Sequence, residues 1–144
     1  MQQMQQIEQD FARRFAEAFK RPSPERLIQL LHPDVVQYQP HTPPIRGREA
    51  AFREFDRLLR WLPDIRGEVQ RFYSRDGMLF IEWKMRLPIG KKGLFIGVVD
   101  RFRLRDGLGI ERAISFSRTR LMRSLIFHPR LWLGYIKYQL GCFA

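Results

Sequence analysis

Apolar residues recur every three or four positions through the first twenty: Met4, Ile7, Phe11, Phe15, Ala18 and Phe19. That spacing puts them on one side of a helix, so an amphipathic helix is expected from Gln2 to Phe19, ended by Arg21-Pro22. Ser23-Pro24-Glu25 is a helix-start signal, with the serine as N-cap and the proline at the first helical position. This second helix carries Leu27, Ile28, Leu30 and Leu31, and is expected to stop at His32-Pro33. Asp34 to Gln39 reads as a short strand that runs into a proline-rich loop. A third helix is expected from about Arg48 to Leu62, burying Phe52, Phe55, Leu58 and Leu59, with Pro63 ending it.

After residue 66 the period changes to two. Strands are expected near residues 67–75, 78–87, 94–105 and 110–118, with hairpin turns at Asp76-Gly77 and Asp106-Gly107. The tail returns to helical spacing and is broken at His128-Pro129. Helices followed by a meander of long antiparallel strands predict an α+β fold with helices packed on one face of a curved sheet. Residues 1–120 form that unit in this reading, and 121–144 form a basic amphipathic helical tail.

Strand phase carries the most chemical information. One face of residues 94–105 holds Leu94, Ile96, Val98, Asp100, Phe102 and Leu104; the other holds Phe95, Gly97, Val99, Arg101, Arg103 and Arg105. Strict alternation therefore puts the Asp100 carboxylate into the core or a cavity of that core. A buried carboxylate is costly unless paired, hydrogen-bonded or protonated. Two readings stay open: a structural ion pair with one of the many arginines, or a proton donor or acceptor facing an apolar cavity. Trp83 is core or a cavity wall. Ala113, Ser115 and Ser117 make a small, weakly polar row, which either admits a packed helix or leaves space for a ligand.

Composition narrows the class. The chain has 144 residues, a net charge of +11 and 26 basic residues, of which 21 are arginine. The arginines are spread over every segment, without the one-face concentration of a nucleic-acid binder, so no sequence-specific nucleic-acid partner is expected. Cys142 is alone, and His32, His41 and His128 lack metal-site spacing, so neither a disulfide nor a metal is expected. No apolar run is long enough to span a bilayer, and the first residues lack signal-peptide features, which together predict a cytoplasmic protein. Beyond residue 118 the chain is basic and apolar with no acid. That tail is either a helical extension packed on the sheet or a second subunit, or an anchor lying on a membrane surface.

The stretches "LLHPDVVQYQP", "IRGREAAFREF" and "VVDRFRLRDG…IERAISF" resemble the SnoaL-like branch of the nuclear-transport-factor-2-like superfamily, over roughly residues 5 to 120. That superfamily includes polyketide cyclases, ketosteroid isomerases and limonene epoxide hydrolases. The resemblance implies a cone (a cystatin-like α+β barrel) whose bent antiparallel sheet wraps the N-terminal helices around a ligand cavity. It also implies a homodimer formed through outer sheet faces, and no cofactor. Where isomerase-like members carry an aspartate base before proline, this chain has Gln39, which can orient a carbonyl or hydroxyl but not take a proton. Phe15 stands where a helix-one tyrosine donates to the oxyanion. Asp100 matches a second oxyanion donor, an acid kept neutral by apolar surroundings. Ser117 stands where cyclase-like members place an acid. The arginine between two carboxylates of the epoxide hydrolases is not evident in the sequence. Together these imply a small hydrophobic ligand, polycyclic, terpenoid, steroid or polyketide-like, acted on by proton transfer through Asp100 with Phe15, Gln39, Trp83, Ser115 and Ser117 around it. The alternative is a noncatalytic ligand-binding or dimerisation module.

Overall fold

A computed structural model of the chain describes residues 2–40, 42–116, 123 and 126–140. Helix α1 (Gln2–Lys20) buries Phe11, Ala12, Phe15, Ala18 and Phe19. Its first turns project past the core, so Met4, placed in the apolar stripe by spacing, is exposed. Helix α2 is a single turn and a half (Pro24–Ile28), and the Ser23 hydroxyl accepts from the Arg26 N–H at 3.1 Å as its N-cap. It ends earlier than expected because the chain is taken into strand β1 (Leu31–Tyr38). The Gly109 N–H already donates to the Leu30 carbonyl at 2.8 Å, drawing that segment onto the sheet. Pro33 has no N–H to give to a ladder, and it sits where the β1 register is interrupted between Leu31 and Val36.

The proline-rich loop returns as a two-residue strand, β2 (Ile45–Arg46), antiparallel to β1 and not anticipated from the sequence. Gly47, at φ +87°, then turns the chain into helix α3 (Arg48–Trp61). Arg48 Nε donates to the Leu31 carbonyl at 3.1 Å, which ties the start of α3 to the start of β1. Strands β3 (Arg66–Arg75), β4 (Met78–Leu87), β5 (Leu94–Arg105) and β6 (Leu108–Phe116) follow as an antiparallel meander. Both hairpin turns place Asp and Gly at positive φ, 52° and 74° at 76–77 and 54° and 73° at 106–107. This conformation is why Asp-Gly marks such turns.

The sheet order is β2-β1-β6-β5-β4-β3. The β1–β6 pair is parallel, so the sheet is mixed and not wholly antiparallel as expected. Register irregularities within β3 and β6 bend the sheet around the helices. Its inner face meets α1 through an aromatic cluster: Phe11 against Phe102 at 4.8 Å, Phe19 against Trp83 at 4.5 Å, and Phe15 between them. A Cβ on Gly67 would lie 2.8 Å from Phe19 and 2.9 Å from the Trp83 ring, so helix and sheet touch at the backbone there. On the outer face, Arg71 pairs with Glu82, and Arg101 and Arg103 with Glu111, within the chain.

The tail contributes a 3₁₀ turn (Pro129–Leu131) and helix α4 (Trp132–Leu140). Tyr135 and Tyr138 lie 5.3 Å from the Trp61 ring of α3, and a Cβ on Gly134 would come within 2.6 Å of Trp61 Cδ1. The glycine lets α4 lie directly on α3. The other side of α4 exposes Trp132, Leu133 and Ile136. No helix among the described residues is long and apolar enough to cross a membrane.

Candidate ligand cavity

The β5–β6 register decides which side chains face inward. Asp100 pairs with Ile114 and Phe102 with Arg112, while Val99 pairs with Ser115 and Arg101 with Ala113. Opposed residues share a face. The inner row of β6 is therefore Arg112, Ile114 and Phe116. The small row expected opposite Asp100 is on the other side, and Ser115 is exposed. Ser117 and His41 lie outside the described residues. Ile114 and Phe116 supply the apolar positions of the inward row, and Arg112 continues it.

Arg112 is the partner that makes the phase tolerable. Its Nε donates to Asp100 Oδ1 at 2.7 Å and its Nη2 to Oδ2 at 3.1 Å, a two-pronged ion pair with side chains 6% and 0% exposed. Trp83 Nε1 adds a third bond to Asp100 Oδ2 at 2.8 Å. Arg112 Nη1 donates to Gln37 Oε1 at 2.9 Å. The guanidinium also lies over the Phe55 and Phe102 rings, at 5.7 and 5.8 Å. Burying two ions is compensated only by such complete, well-directed pairing. Asp100 is thus held in the ion-paired arrangement and not as an isolated acid. The arginine lies between a carboxylate and an amide, where the epoxide hydrolase pattern calls for two carboxylates.

Beside this network is a cavity of about 200 Å³, bounded by α3, α4, the β1–β2 loop and the inner face of the sheet. Phe55, Leu58, Leu62, Met85, Ile114 and Phe116 supply much of its apolar wall, and Gln39, Glu54, Arg57, Arg112 and Tyr138 its polar groups. Of the residues expected to surround a ligand, Gln39 and Trp83 line it. Phe15 is fully buried in the aromatic cluster, and Asp100 lies behind Arg112 and Trp83; neither is in the wall.

Glu54 was not legible as a site residue. It is 5% exposed on the inner side of α3, where it accepts from Arg57 Nη2 and from the Tyr138 hydroxyl of α4. Burial, and then the Glu54 charge beside it, push the Tyr138 phenol above the ordinary tyrosine range, so it serves as a standing donor. Among the described residues, the buried side-chain polar atoms without a partner are all nitrogen donors, including Gln37 Nε2, Arg57 Nε and Trp61 Nε1. The surroundings of the cavity are short of acceptors. No group of three or more His, Cys, Asp or Glu among the described residues converges to hold a metal.

Comparison with known proteins fits this architecture. IdmH from Streptomyces antibioticus, a candidate polyketide cyclase, superposes with a TM-score of 0.69 at 20% identity, covering 82% of this chain and 97% of IdmH. TerC, solved with polyporic acid, gives 0.71 at 15% identity, covering 83% and 98%. An NTF2-like protein from Burkholderia pseudomallei gives 0.70 at 17% identity, covering 81% and 95%. No protein in the curated set matches. The SnoaL-like domain profile matches residues 12–112, well over half of the sequence, and the chain belongs to the SnoaL-like domain family.

Proposed function

We propose that this protein binds a small, mostly apolar molecule carrying a carbonyl oxygen and acts on it by proton transfer, as an isomerase, cyclase or dehydratase would. The observation that carries this reading is Arg112. It is a cavity-lining cation held rigid by Asp100 and Gln37, and the second N–H on each terminal nitrogen has no acceptor among the described residues. Because Asp100 already balances its charge, the group suits a neutral carbonyl that becomes more negative during reaction, the situation in which prepositioned donors accelerate chemistry. The apolar wall supplies affinity and the few polar groups supply orientation. Size limits the ligand: an apolar cavity of roughly 150 Å³ takes one benzene. One or two rings fit about 200 Å³, and a larger polycycle requires α4 to move aside.

Trp61 and Trp83 line the cavity, so their emission reports occupancy. Titration with the bicyclic ketone 2-indanone should change the emission saturably. Ile114→Trp, which fills the cavity from β6, should weaken that response at least tenfold. An unchanged emission in the parent protein, or equal affinity in the filled variant, would place binding elsewhere.

A further inference from the structure

We propose that Glu54 is the general base of this cavity, with Tyr138 of α4 and Arg57 as its positioning residues. This rests on the carbonyl-ligand reading above. Glu54 is the single carboxylate among the described residues lining the cavity, and it is almost fully buried. Phe55, its neighbour in the chain, lies 5.7 Å from the Arg112 guanidinium, so base and carbonyl-binding group face one cavity from adjoining walls.

Its hydrogen bonding leaves it able to act. The Tyr138 hydroxyl donates to one carboxylate oxygen and Arg57 Nη2 to the other. A carboxylate oxygen accepts along two lone-pair directions, so each keeps one. Asp100 is more fully engaged and lies elsewhere. Its Oδ2 takes bonds from both Arg112 and Trp83, and it is absent from the cavity wall. The acid that strand phase selects serves to hold the arginine, and the working carboxylate comes from α3.

The step balances without a further reactant. The C–H bond next to the carbonyl breaks, and its proton goes to a Glu54 carboxylate oxygen. The electron pair moves through the new C=C bond onto the carbonyl oxygen, giving an enolate that accepts from the unspent N–H groups of Arg112. Protonated Glu54 then returns the proton to the same carbon, or to a conjugated one, and regains its charge. Return to the same carbon is silent in water; in deuterium oxide it becomes visible once the proton on Glu54 has exchanged with solvent, so that a deuteron is returned. Since Tyr138 comes from the tail, α4 helps assemble the reactive group besides covering the cavity.

The test measures α-proton exchange of 2-indanone in deuterium oxide by proton NMR, with binding followed by tryptophan emission in the same samples. The parent protein should accelerate exchange well beyond an equal concentration of acetate. Glu54→Gln keeps one oxygen, enough for Tyr138 or Arg57 but not both; it should still bind 2-indanone and lose exchange by roughly 10²-fold or more, the usual contribution of a positioned base. Tyr138→Phe should keep affinity and lower only the exchange rate. Glu54→Asp, a second variant should the glutamine form fold poorly, retracts the carboxylate and should retain a fraction of the rate. Binding without accelerated exchange, or full exchange in Glu54→Gln, overturns the role of Glu54 and leaves the ligand reading standing. A parent protein that does not bind overturns the ligand reading itself.

Discussion

Asp100→Asn should destabilise the fold by roughly 3–5 kcal/mol, the cost of leaving one buried charge without its partner. The neutral amide offers a single acceptor and brings an N–H₂ group against a guanidinium that can only donate. Arg112, 5% exposed and bounded by Phe55 and Phe102, is held away from the protein surface. Urea unfolding followed by circular dichroism measures this directly. The same logic makes the paired replacement Asp100→Leu with Arg112→Met less damaging than either single change. Both ions and their desolvation vanish together, while the neutral Trp83 Nε1 and Gln37 Oε1 lose a partner. That double variant should fold and fail to bind 2-indanone. An Asp100→Asn protein as stable as the parent would mean that the ion pair is not the anchor of the cavity wall.

Phe15→Ala should cost about 3–5 kcal/mol for a different reason. Phe15 is 1% exposed and touches Phe19, Trp83 and Phe102 at ring separations of 4.6, 5.7 and 5.8 Å. Truncation leaves a void between α1 and the sheet that rigid aromatic neighbours cannot close. Phe15→Tyr, which introduces the residue that the isomerase resemblance would place there, would bury a hydroxyl in that cluster; without a partner it costs roughly 1–3 kcal/mol. If Phe15→Tyr instead gained stability or sharpened ketone binding, Phe15 would border the ligand after all.

Much of the architecture was readable because local chemistry and tertiary structure agree in it. The three- and four-residue spacing in α1, the Ser23 cap, and the two Asp-Gly turns are each satisfied by a short stretch of chain. Helix α3 forms as expected, but of Phe52, Phe55, Leu58 and Leu59 only Phe55 is fully buried, beside Ala51, Glu54 and Trp61. What was not readable depends on partners far away in sequence. The start of β1 is set by Gly109, and β2 exists only because Val36 and Gln37 offer it an edge. The parallel β1–β6 pair joins segments at opposite ends of the domain.

The candidate site divides the same way. Alternation correctly buried Asp100, yet the small row of β6 was set opposite it, because which row faces inward depends on the β5 register and on Arg112 meeting its carboxylate there. Gln39 followed from its place at a strand end. Gln37, two residues earlier on the same face, was overlooked beside it. Glu54 had no sequence signal: on a charged amphipathic helix one glutamate resembles another. Its burial depends on Tyr138, 84 residues away. The tail, read as either packing or membrane anchor, packs on α3 through Gly134, Tyr135 and Tyr138 of α4, and the two tyrosines help close the cavity.

The central claim is that Arg112 receives the ligand's oxygen, and guanidinium NMR tests it most directly. Protein labelled with nitrogen-15 at arginine gives side-chain N–H signals, with those of Arg112 assigned by their absence in Arg112→Lys. Titration with 2-indanone should shift the Arg112 Nη–H signals saturably, in step with tryptophan emission. Indane, the same shape without the oxygen, should leave them in place at equal occupancy. Bound ketone with unmoved Arg112 signals, or identical shifts from ketone and hydrocarbon, would contradict the account.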